Sequence, residues 1–177
     1  NDPRDGIVLR SGKSFDSENL IVGSSSKRRE LQFKSYFKNI ICKNIRGNID
    51  SRISKVKRGE YDGTILALAG IQTLKLDHEV KKIFSEEKII PCAGQGVIAV
   101  QCRKNDFENL KILKKINDED TKICAITERS LLKTIGGDCH TALGAYAKID
   151  KNNIIIIAQL FSDDGLKSFS IKKIGDK

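Results

Sequence analysis

The chain has 177 residues, 39% of them apolar and 31% charged, enough for a core in one or two domains. Its formal net charge of +9 calls for an acidic partner, but aromatics are only 6% and no zinc-finger, RNP or helix-turn-helix signature occurs, which argues against nucleic acid. No run approaches the roughly 18 apolar residues that cross a bilayer, so no membrane association is expected. The sequence begins Asn-Asp-Pro-Arg and holds no methionine, and reads as a piece of a longer chain.

In chain order, residues 7–9 and 20–22 predict strands, 27–37 a helix and 40–45 a strand. Asn48 or Asp50 caps a helix running to about Arg58, and residues 64–69 form a buried strand. A short helix follows over 70–76, then an apolar-periodic piece over 79–84. Pro91, Gly94 and Gly96 mark a break. Beyond it come a strand over 97–102, a helix over 107–116, and a longer helix capped at Asn117-Asp118 and reaching about Thr134. Three strands, 143–149, 154–161 and 167–171, are separated by turn sequences at 150–153 and 162–165. Strands alternating with helices, then a run of strands, predict an α/β domain followed by an antiparallel α+β domain.

Two arginine clusters stand at matching places in this pattern. Ser24-Ser25-Ser26-Lys27-Arg28-Arg29 follows one apolar strand, and Arg46-Gly47-Asn48 with Arg52 follows another. Each opens a helix, whose N-terminus offers unpaired N–H groups and the positive end of a dipole. Guanidinium forks grip carboxylate or phosphate through two parallel hydrogen bonds. Both clusters therefore read as anion sites, and together they suit a ligand with several negative groups. The plainer reading is that these arginines are solvated helix residues.

Five cysteines occur without CxxC spacing or neighbouring histidines in ligand register, so no metal site is expected. The odd count and the absence of a secretory segment suggest reduced thiols. Cys42, Cys102 and Cys124 fall in apolar periodic runs and read as core residues. Cys139 differs, lying in a loop between Gly136-Gly137-Asp138 and His140-Thr141. His140 is not paired with it as a catalytic base, because adjacent side chains diverge. His78 reads as a surface residue.

One ordered set of motifs resembles the hydroxymethylbilane synthase (porphobilinogen deaminase) family. The set comprises Asp2-Pro3-Arg4-Asp5, the Ser24–Arg29 cluster, the Arg46–Arg52 cluster, residues 65–70, Gly94-Gln95-Gly96, Glu128-Arg129 and the loop at Cys139. The resemblance spans nearly the whole chain. It implies a transferase of heme and porphyrin biosynthesis that condenses four porphobilinogen molecules into the linear tetrapyrrole hydroxymethylbilane, releasing ammonia. The reaction is primed by a dipyrromethane cofactor, covalently bound through a loop cysteine that is Cys139 by position. Also by position, Ser24, Ser25, Ser26, Arg28, Arg29, Arg46, Gly47, Asn48 and Arg52 would hold cofactor and substrate carboxylates.

The family's catalytic aspartate belongs to an N-terminal domain outside these residues, so the resemblance implies no catalytic residue in this stretch and no turnover by it alone. It implies a second, periplasmic-binding-protein-like α/β domain over 1–92, a returning segment of the first domain over 93–117, and a C-terminal cofactor-attachment domain over 118–177. A returning segment orphaned from its sheet should expose apolar surface and aggregate. Whole family members are monomers, cytoplasmic or in a plastid, with porphobilinogen and polypyrrole intermediates as partners. Three residues depart from the family pattern. Thr73 stands in place of an arginine, with Lys75 nearby as a substitute cation; Asp138 precedes the thiol, where it would raise the thiol pKa; and Ala142 replaces a proline. The alternative reading is a non-catalytic polyanion-binding module on the same scaffold.

Overall fold

The computed structural model describes residues 1–138 and 140–177; Cys139 lies outside them. Strands β1 (Asp5–Leu9), β2 (Leu20–Gly23), β3 (Ile40–Lys43), β4 (Gly63–Ala67) and β5 (Lys82–Ile83) form one sheet in the order β3-β2-β4-β1-β5. β2 runs parallel to β3 and β4, whereas β1 is antiparallel to both β4 and β5. Helices α1 (Lys27–Tyr36), α2 (Ile49–Lys57) and α3 (Leu68–Thr73) connect these strands. Together they make a mixed α/β unit.

Alternation along the strands explains the two-sided core. Ile7 of β1 joins Val22, Ile65 and Phe33 of α1 on one face, while the next residue, Val8, joins Leu66 and the Ile53 and Val56 side chains of α2 on the other. Covered on both faces, β2 and β4 read as continuous apolar runs rather than alternating ones. Two residues past the end of α2 lies Gly59, whose φ of +82° permits paired closing bonds. The Gly59 N–H donates to the Val56 carbonyl at 3.0 Å and the Glu60 N–H to the Lys55 carbonyl at 3.1 Å, and the chain then turns into β4.

The second unit is an antiparallel meander, β6 (Leu143–Asp150), β7 (Asn153–Phe161) and β8 (Ser168–Asp176), packed against α5 (Glu119–Thr134). Leu143, Ala145 and Ala158 meet Leu131 and Leu132 of α5 in its core. β8 extends five residues beyond the strand expected to end at Ile171. β7 pairs with it in register from Asn153↔Asp176 to Phe161↔Ser168, through Lys172 and Lys173, and lysines are common guards of an edge strand.

The strand expected over 97–102 does not form. A strand needs a neighbour to satisfy its backbone groups, and none of the two sheets offers one; Ile98 is 75% and Val100 60% exposed. α4 (Phe107–Ile116), which follows it, buries no residue. The apolar-periodic piece at 79–84 divides into the end of a short 3-10 turn (Asp77–Glu79) and β5. Cys42 and Cys124 are only partly buried, although burial pushes the Cys42 thiol up to about 11 and the Cys124 thiol upward too.

Candidate functional site

Strands β2, β3 and β4 run parallel, so their C-terminal ends lie together, and the two arginine clusters follow β2 and β3 at that end. Ser26 caps α1, its hydroxyl accepting from the Arg29 N–H at 3.4 Å, and Asn48 caps α2, its side-chain oxygen accepting from the Ser51 N–H at 2.9 Å. Gly47 precedes that cap with φ +118°. The loops are tied to each other: the Ser25 hydroxyl donates to Asn44 Oδ1 at 2.7 Å and to the Ile45 carbonyl, and the Ser24 N–H to the Lys43 carbonyl at 2.9 Å. Gly23 is required where they meet, since a Cβ there would lie 2.8 Å from the Ile45 side chain.

The four arginines divide into two kinds. Arg28 is buried and committed inward, donating to Asp5 Oδ2 at 2.9 Å, to the Ile90 carbonyl at 2.6 Å and to Gln95 Oε1 at 3.2 Å. Arg46 is exposed, and neither it nor Arg52 has a carboxylate partner among the described residues. Arg52 donates its Nε to the Gly47 carbonyl at 2.8 Å. Burial, then repulsion from Arg29 and Arg46, lowers the Arg52 pKa, so Arg52 lies within electrostatic reach of both other guanidiniums. Arg29 belongs to both kinds: one Nη donates to Asp5 Oδ1 at 2.8 Å, while its Nε is buried without an acceptor among the described residues.

Asp5 is the counter-charge. Its side chain is 0% exposed. Burial pushes its carboxyl up, but Arg29 and Arg28, through charge and hydrogen bonds, outweigh that and hold it below the ordinary carboxylate range. Gln95 Nε2 also donates to Asp5 Oδ1, at 2.8 Å, and to the Pro3 carbonyl at 2.6 Å. Gln32 of α1 brackets the Ile90 backbone, accepting from its N–H at 2.6 Å and donating to its carbonyl at 2.9 Å. One face of α1 thus grips both the segment entering β1 and the segment leaving at Ile90–Gln95. Asp5, Gln32 and Gln95 were not singled out as site residues in the sequence; the available signal was a carboxylate directly before a buried strand and a glutamine flanked by glycines.

A second clamp joins the two units. Glu128 of α5 is buried; Oε2 accepts from the Gly94 N–H at 2.7 Å and Oε1 from the Ala147 N–H of β6 at 2.8 Å. Burial raises its pKa against the lowering effect of those two amides. Cys139 lies outside the described residues. Beside it, Asp138 is exposed and accepts from the His140 N–H at 2.8 Å and the Thr141 N–H at 3.1 Å. The His140 N–H, ahead of the Thr141 donors, holds its carboxyl below the ordinary range. Thr73 is exposed and spends its hydroxyl on the Ala69 carbonyl.

Guanidiniums gather at two helix N-termini on the parallel end of an α/β sheet, and those of Arg46 and Arg52 have no carboxylate partner among the described residues, an arrangement suited to anions. Residues 1–111 match the family model of the porphobilinogen deaminase dipyromethane cofactor binding domain, and residues 122–177 match that of the porphobilinogen deaminase C-terminal domain. The chain is 42% identical over 178 residues to the porphobilinogen deaminase of Caldicellulosiruptor saccharolyticus, covering 99% of this chain and 60% of that protein. It is 37% identical to that of Brevibacillus brevis, covering 95% and 55%, and 36% to that of Francisella tularensis subsp. novicida, covering 99% and 59%. The chain belongs to the porphobilinogen deaminase family, and spans less than two thirds of those relatives' lengths. A Salmonella typhimurium periplasmic binding protein superposes with a TM-score of 0.41 at 14% identity, over 74% of this chain and 59% of that one.

Proposed function

We propose that this chain is the carboxylate-binding part of a hydroxymethylbilane synthase, a transferase joining four porphobilinogen molecules head to tail with loss of ammonia. The observation that carries the reading is Arg46 and Arg52, set at the helix start beside Arg29, with no carboxylate partner for Arg46 or Arg52 among the described residues. Porphobilinogen bears an acetate and a propionate, and each added ring brings two more carboxylates. Forked guanidiniums and helix N-termini match that chemistry.

The site residues take different parts. Arg29, Arg46 and Arg52 would hold carboxylates directly. Ser24, Ser25, Ser26, Gly47 and Asn48 shape the two helix starts, and Arg28 acts by holding Asp5 and Ile90, the groups beside which Arg29 is fixed. These donors fit a dipyrromethane, whose chemistry is to offer a covalently anchored pyrrole end for extension, with Cys139 as its attachment point. Fixed positive groups aimed at carboxylates orient the rings before reaction and need no reorganisation during it.

For domain organisation, the proposal is the second domain over 1–92, a returning segment over 93–117 and the cofactor-attachment domain over 118–177. Its support is the pairing of entry and exit segments on α1 and the apolar exposure along 97–116. Among the described residues no helix is long and apolar enough to cross a membrane. The proposed partners are porphobilinogen and polypyrrole intermediates, without nucleic acid, and the proposed whole protein is a monomer of the cytoplasm or a plastid. The test is the denatured mass of the protein made at the full length of its relatives, with peptide mapping. Two pyrrole units on the Cys139 peptide are expected. Unmodified Cys139 in active protein would move the attachment elsewhere, and unmodified, inactive protein would favour a polyanion-binding module.

A further inference from the structure

At the opposite end of the same sheet lies a second basic cleft that the proposed reaction does not use. β1 is antiparallel to β4, with Leu9 opposite Gly63, so the chain leaving β1 emerges at the N-terminal end of β4, away from the arginine site. The C-terminal end of α2 and the turn before β5 arrive there too. They enclose a cleft of about 490 Å³ lined by Arg10, Lys13, Lys57, His78, Glu79 and Lys81. That volume is in the range of small-molecule sites.

The charges in the cleft do not balance. Arg10 and Lys13 share one oxygen of Asp62, at 3.0 and 3.2 Å, and the other Asp62 oxygen accepts from the Ile21 N–H at 3.0 Å. Glu79 pairs with Lys57 and lies 3.3 Å from His78 Nε2. Lys81 has no ion-pair partner among the described residues, which leaves four fixed cations facing two carboxylates already engaged. Arg10 Nε is buried with no acceptor among the described residues. The Lys13 N–H closes a turn on the Arg10 carbonyl at 3.0 Å, with Gly12 at φ +77°, and the Ser11 and Gly12 amides have no acceptor among the described residues. Cationic side chains and free turn amides around one hollow make an anion-binding concavity.

We propose that this cleft binds a small organic dianion, a phosphate ester or a polycarboxylate, with its anionic oxygens between Arg10, Lys81 and the Ser11-Gly12 amides. The site is separate from the arginine cluster and independent of its assignment. Binding is tested by calorimetry on the protein made at the full length of its relatives and carrying Arg46→Gln and Arg52→Gln, which weakens the competing site. Pyrophosphate and citrate serve as probes, and whichever binds more tightly identifies phosphate or carboxylate as the preferred group.

Saturable binding of one equivalent is expected. Adding Lys81→Gln should weaken it by about tenfold, whereas the charge-matched Lys111→Gln change on exposed α4 should leave it unaltered. Arg10→Gln should weaken it further; because Arg10 also pairs with Asp62, Lys81→Gln is the variant that decides. Absence of saturable binding, or equal weakening by Lys111→Gln, would overturn the proposal, since either means that only diffuse positive charge is at work.

Discussion

Replacing Asp5 by asparagine removes the charge that two buried guanidiniums share. Breaking a buried ion pair from one side costs about 3–5 kcal/mol, so Asp5→Asn should lower the unfolding free energy by that order in denaturant titration. The pH dependence follows from the same geometry. The folded-state pKa of Asp5 is depressed, so its contribution is complete above the ordinary aspartate value of about 3.9 and is lost as pH falls through the depressed value. Asp5→Asn should flatten that acid limb of the stability curve. Arg52 offers the converse case. It is crowded by Arg29 and Arg46, so Arg52→Gln should leave the melting temperature unchanged or raised while weakening binding of a pyrrole dicarboxylate by about tenfold. Loss of stability without loss of affinity would show Arg52 to be structural.

Between elements, Glu128 links α5, the Gly94 turn and β6 through two backbone amides and no cation. Glutamine keeps one acceptor and turns an NH2 toward the other amide, leaving a buried mismatch of about 1–3 kcal/mol. The pH signature is opposite to that of Asp5. Because the folded-state pKa of Glu128 is raised, the folded form holds the proton more tightly, and stability falls as pH climbs from about 4.3 through the raised value. Glu128→Gln should abolish that decline in melts across the interval. At the α2 start, Asn48→Ala removes the acceptor for the Ser51 N–H and should cost about 1 kcal/mol. Since α2 presents Arg52, ligand affinity should fall with it.

For the whole molecule, the unpartnered stretch after the Gly94 turn sets solution behaviour. Ile98, Val100, Phe107, Ile112 and Ile116 are each more than half exposed, and the first two share a cleft with Leu113, Ile116 and Ile126. Contiguous apolar surface of this kind drives association. The 177-residue chain should self-associate with rising concentration in sedimentation velocity, and the Ile98→Ser/Ile116→Ser pair should reduce it. A monomeric, cooperative melt of the unaltered chain would refute this expectation.

Much of this molecule could be read from local chemistry. Ser26 and Asn48 mark their helices because a side-chain oxygen answers amides only a few residues away, and the apolar runs of β2 and β4 announce a sheet covered on both faces. The arginine clusters were legible for the same reason, since strand, cap and guanidinium are consecutive in the chain. Partnership across the fold was not. Nothing near Arg28 in sequence shows that it faces Asp5, 23 residues before it, and Gln95, 67 residues after it, nor that Arg46 and Arg52 have no carboxylate partner among the described residues. The strand expected over 97–102 failed for a related reason: an apolar run specifies a wish for burial, but a strand exists only where another strand receives its hydrogen bonds. The sequence by itself therefore determined which groups carry charge and which segments seek a core, because those are properties of neighbouring residues. Tertiary structure alone decided which charges cancel and which stay open to a ligand, because ion pairing depends on distance in space, and β1 returning antiparallel beside β4 brings a remote carboxylate under two guanidiniums.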